Sequence, residues 1–184
     1  MVLFLMLFFC ANISSQTFED GALSCIQEKY LKQDVHIDSL LNSYEDYLIQ
    51  KKFLISDRES RYKVFFQNMK KENAYISTIT ASDFDKISKV EAGDYINQGC
   101  ISSIQHLDAL LYAKFKNLER ELKPIIEAKG SSEATTVANA YLNTFTNKDF
   151  QKPFLRTITL LTIAWISEIE DGSPPNFKKL PKIE

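Results

Sequence analysis

The chain has only two histidines, and their surroundings match. His36-Ile-Asp-Ser-Leu-Leu41 and His106-Leu-Asp-Ala-Leu-Leu111 share the pattern His-(Ile/Leu)-Asp-(Ser/Ala)-Leu-Leu. Two helices that brought His36, Asp38, His106 and Asp108 together would offer two imidazoles and two carboxylates. Zinc accepts such nitrogen and oxygen ligands, and two histidines with one carboxylate suffice for a hydrolytic site. Geometry opposes the idea, because residues i and i+2 of a helix point about 200° apart. A histidine and its own aspartate therefore cannot face one centre. The preferred reading places each His-Asp pair in the exposed first turn of an amphipathic helix, with Leu-Leu in the core.

Cysteine chemistry depends on the compartment. Met1–Cys10 is a continuous apolar run, followed by the small and polar residues Ala11, Asn12, Ser14, Ser15 and Gln16. This pattern predicts a secretory signal peptide over residues 1–16, with cleavage between Ser15 and Thr17, although no Lys or Arg precedes the run. Bulky Phe8 and Phe9 ahead of Cys10 argue against a lipid anchor. Cleavage leaves Cys25 and Cys100, and an even pair in a secreted or periplasmic chain predicts one disulfide. Closing a loop of about 75 residues would stabilise the fold by roughly 4 kcal/mol. The alternative is two separate buried thiols, as free cysteine is often buried.

Tyr44, Tyr47, Tyr62 and Tyr75 could line a binding groove, since tyrosine suits interfaces. The competing reading has them bordering the core. Lys51-Lys52 and Lys70-Lys71 fit solvated helix ends. There is no His-Glu-x-x-His, no Glu-x-x-His, no Gly-x-Ser-x-Gly and no glycine-rich phosphate loop. A Cys–His nucleophile would need a reduced thiol, against the disulfide reading. No catalytic residue and no cofactor is expected.

The element that must position these residues is the most apolar stretch after the N-terminal run, Phe154 to Ile169. Phe154, Ile158, Leu161 and Trp165 fall at helical spacing, and Leu160, Ile163, Ala164 and Ile166 widen the apolar surface. A helix apolar nearly all round belongs in the middle of a bundle. Arg156 and Glu168 bracket too short a run for a membrane span, which needs roughly 20 apolar residues. Arg156, Thr159, Thr162 and Ser167 share a narrow polar face. The mature chain is expected to have no transmembrane segment.

Around that helix the periodicity predicts amphipathic neighbours. Leu23, Ile26, Tyr30 and Leu31 form one stripe. Ile37, Leu40, Leu41, Tyr44 and Leu48 form the next, with Asp34 able to cap it, as one bent helix or two. Ser56-Asp-Arg-Glu59 matches a capping box before Tyr62, Phe65, Phe66 and Met69, and Asn73 is a natural end. Ser82 to Val90 predicts a short helix. The longest run starts at Cys100 and passes through Leu111, Phe115, Leu118 and Leu122, with Pro124 expected to end or kink it. Ser131 or Ser132 can cap the next helix, with Val137, Ala138, Tyr141, Leu142 and Phe145 inward. Asn147 or Asp149 can cap the central helix, which puts Pro153 near its first turn.

The expected fold is therefore all-α: a single irregular bundle of about six or seven helices, with a central apolar helix near the C-terminus. Residues 17–171 make the helical domain, and 172–184 an extended C-terminal tail. A net charge of -2 gives no electrostatic reason to expect nucleic acid. The expected function is non-catalytic: an exported protein that binds a protein or cell-envelope partner. The alternatives are a carrier of an apolar small molecule in the bundle and a metal-dependent hydrolase using His36 and His106.

Overall fold

The structure is a computed structural model that describes residues 17–75, 87, 108–127, 134–171 and 178–179. It is all-α. The described helices are α1 (Phe18–Leu31), α2 (Ile37–Gln50), α3 (Arg61–Glu72), α4 (Ala109–Glu127), α5 (Ala134–Thr144), α6 (Asn147–Phe150) and α7 (Pro153–Asp171). A two-residue parallel pair, β1 (Ala74–Tyr75) with β2 (Lys178–Lys179), joins the end of α3 to the C-terminal region.

α7 is the central helix. Thr157 to Ala164 are all buried without a break, as are Phe154 and Leu155. It packs on α1, α2 and α6. Side chains extend its reach: Phe154 meets Phe115 of α4 at 4.6 Å between ring centres, and Thr162 shares a 2.5 Å hydrogen bond with Tyr141 of α5. The expected polar face is thus turned inward at Thr159 and Thr162. The most extensive packing among the described elements is α3 on α5, where Phe66 stacks on Tyr141 at 4.3 Å. Aromatic pairs of this kind contribute about 0.5–1.5 kcal/mol beyond the area they bury.

α1 and α2 are separate helices. At the end of α1, Val35 N–H donates to Tyr30 O (3.1 Å) and Asp34 N–H to Leu31 O (2.9 Å). Asp34 sits in the left-handed region, with φ 59°. This is a Schellman stop. The expectation that Asp34 caps α2 is corrected: it closes α1, and His36 is the N-cap of α2 without a side-chain bond. α2 ends in the same way, with Phe53 N–H to Leu48 O and Lys52 N–H to Ile49 O, both 2.9 Å, and Lys52 at φ 61°. Asn73 ends α3 at φ 45°, as expected.

Other helix starts differ from the sequence reading. The box at Ser56–Glu59 does not form. Instead the Asp57 carboxylate accepts from Glu59 N–H and from the Ser60 hydroxyl, and α3 begins only at Arg61. The ionised Asp side chain outcompetes the Ser hydroxyl as acceptor. Neither Asn147 nor Asp149 caps the central helix: both belong to the short α6, which Thr146 caps in a reciprocal box with Asp149, and α7 starts at Pro153. Pro124 does not end α4, which continues to Glu127. The proline removes one backbone bond, to the carbonyl of solvent-exposed Arg120, where water can take its place. The readings at Ser82–Val90 and Ser131–Ser132 lie outside the described residues, Ile87 excepted.

Candidate functional site

Among the described residues, the corner between α1 and α2 brings polar and apolar side chains together at the surface. The Schellman stop turns the chain sharply, so the last turn of α1 faces the first turn of α2. Between them lies a hollow of about 600 Å³ lined by Gln27, Leu31, Val35, His36, Ile37, Asp38 and Ser39. Val35 and Ile37 are buried and form its apolar side. Leu31 stands out at 57 % exposure. The Gln27 amide donates to Asp38 Oδ2 at 2.5 Å and ties the two helices across the opening. The His36 ring makes no capping bond to α2. The arrangement offers an apolar side chain beside donors and acceptors of both kinds. That suits reversible contact with another molecule.

The four residues considered as metal ligands are not assembled there. His36 and Asp38 share the corner, but Asp108 is elsewhere. Its carboxylate caps α4 by accepting from Leu111 N–H at 2.9 Å. Asp108 also lies 3.9 Å from Lys152 Nζ, which is 3.4 Å from Glu19 of α1. Glu19 is at one end of α1 and the corner is at the other, a separation of about 18 Å at 1.5 Å per residue. His106 lies outside the described residues. Among the described residues, no three His, Cys, Asp or Glu side chains are grouped to hold a metal ion.

Cys25 is half-buried on α1, packed against the core, and Cys100 lies outside the described residues. The suggested tyrosine groove is corrected. Tyr44 and Tyr62 are core residues, at 0 % and 3 % exposure, so they line no open surface. Tyr47 is half-buried with Lys51 Nζ 5.7 Å from its ring centre. The Tyr75 side chain lies outside what is described. Burial wins because all three described tyrosines stand on the α2 and α3 faces that close the bundle.

A polar cluster that the sequence reading missed sits inside these helices. Glu45 of α2 is buried and uses both carboxylate oxygens. Oε1 accepts from Arg61 Nη1 (2.7 Å) and from the Tyr62 hydroxyl. Oε2 accepts from Arg156 Nη2 (2.6 Å) and Nε (3.0 Å). Arg156 also donates to Asn42 Oδ1 (2.7 Å), and Arg61 to Ser56 O (2.8 Å). Burial alone would push the Glu45 carboxyl up; the bonds from Arg156, Tyr62 and Arg61 outweigh it and hold the group below its ordinary 4.5. Burial and the adjacent Glu45 charge push the Tyr62 hydroxyl well above the usual phenol range. The sequence signal was a carboxylate on the apolar side of α2, four residues after Leu41. A second such pair joins Asp149 of α6 to Lys114 of α4 at 2.7 Å. These clusters are consumed by internal partners and hold helices together.

The chain matches no family model, no curated protein and no solved structure.

Proposed function

We propose that the chain is an exported, non-catalytic helical protein that binds a protein partner through the α1–α2 corner. The observation that carries this reading is the hollow at that corner, with Leu31 projecting beside buried Val35 and Ile37 and the polar Gln27, His36, Asp38 and Ser39. An apolar anchor ringed by polar groups is the pattern of a binding hot spot. The carrier reading has less support, because packed aromatic pairs such as Phe66–Tyr141 and Phe115–Phe154 occupy the middle of the bundle.

Export is supported by the apolar run Met1–Cys10. On this reading residues 1–16 are removed, 17–171 form the helical domain, 172–184 form the tail, and Cys100 is the partner of Cys25. The test is capture from the native host with the wild-type protein and a Leu31→Asp variant of equal thermal stability. The expected result is one protein recovered by the wild type and lost with Leu31→Asp. Recovery of the same protein by both would rule out the corner.

A further inference from the structure

We infer that Glu45 is an acid-operated latch: protonation of this one carboxyl releases α7 from α2 and α3. Side chains of α3 and α7 both end on this one group of α2. Arg156 is the side chain through which α7 reaches Glu45, and Arg61 and Tyr62 are those of α3. All of them converge on a single carboxylate of α2. On α2 itself the neighbour is neutral Asn42, which is bonded to Arg156. From the α2–α3 loop, Ser56 supplies a carbonyl to Arg61, and Asp57 lies near enough to feel the Arg61 charge. From α6, Phe150 offers only its ring, 6.1 Å from Tyr62.

Two guanidinium groups therefore share one negative charge. A single added proton leaves them facing each other with only the exposed Asp57 near Arg61, in a part-buried setting where repulsion is poorly screened. Protons can reach the group, because the Arg156 side chain is 25 % exposed and Asn42 is at the surface. The sign follows from the depressed native carboxyl. Its contribution is complete above the ordinary value of 4.5 and is lost as pH falls through the lower native value. The aromatic contacts do not titrate in this range, so the core survives while the polar junction opens.

The experiment follows emission from Trp165, the single tryptophan and a residue of α7, together with helix content, as pH falls from 7 to 2. The wild type is expected to change emission on the acid side, with helix content retained. Glu45→Gln, a neutral isostere, is expected to show the acid-form emission already at pH 7 and to lose the pH dependence. If Glu45→Gln keeps the wild-type acid profile, the latch is wrong. If that variant does not fold, Arg156→Gln decides the matter. With the α7 side of the latch removed, this variant should show the acid-form emission already at pH 7 and no acid transition. A retained wild-type acid transition would overturn the proposal.

Discussion

Three single residues set the ends of the first three helices, and none is glycine. Asp34, Lys52 and Asn73 all hold positive φ. Asn and Asp tolerate that region because their short polar side chains bond locally, whereas Lys has no such relief. Lys52 is therefore the most strained of the three. Its backbone N–H still completes the Schellman pair that lets Phe53 and Leu54 bury behind α2. Lys52→Gly should stabilise the protein by about 0.5–1 kcal/mol, as relief of the left-handed strain exceeds the added chain entropy. A chemical denaturation midpoint checks this, and an unchanged or lower midpoint would deny the strain. Glycine is the usual signal for a helix stop, which is why the turn at Asp34 was legible only as a break and not as a stop.

At the scale of elements, the apolar periodicity was a good guide to faces and a poor guide to ends. Leu41, Tyr44 and Leu48 of α2, and Leu111, Phe115, Leu118 and Leu122 of α4, all point inward as their spacing requires. The ends depended on which oxygen captures which N–H, and several acceptors compete within a few residues. Asp57 displaced Ser56, and Thr146 displaced Asn147. The Thr146 cap carries more than its own helix. Asp149 returns a bond to Thr146 N–H at 2.8 Å and also receives Lys114 of α4. Thr146→Ala should cost about 1 kcal/mol, the ordinary value of an N-cap hydroxyl. It should be measured beside Asp149→Asn, which also loses the tie to α4 and is expected to cost more. Equal losses would mean that the Lys114 pair contributes nothing.

For the whole molecule, the all-α bundle around α7 was legible because a helix apolar nearly all round belongs in the middle of a bundle. The polar clusters were not. Glu45, Arg61 and Arg156 are far apart in the chain, and only the packing of α2, α3 and α7 joins them. The hollow was equally hidden, because it is made by the angle between two helices and not by any one motif. The export reading has its own whole-molecule consequence. Thr17 caps α1 through Asp20, whose backbone N–H donates to Thr17 Oγ1 at 3.1 Å. Cleavage after Gln16 keeps that cap, so the mature protein should begin at Thr17, and N-terminal sequencing checks it. Digestion without reductant should yield a peptide pair linking Cys25 to Cys100. Reduction should lower the unfolding free energy by roughly 4 kcal/mol. A Cys25 thiol that titrates freely in the exported protein would contradict the pairing.

The central claim is that the α1–α2 corner is where another protein docks, and site-specific photocrosslinking tests it most directly. A photoreactive phenylalanine analogue is placed at Leu31 in one strain and at Leu110 in another. Both positions are solvent-exposed, at 57 % and 71 %, and they lie on different helices. Irradiation of the native host should give one discrete adduct from position 31 and none of that mass from position 110. No adduct from position 31, or the same adduct from both, would contradict the assignment.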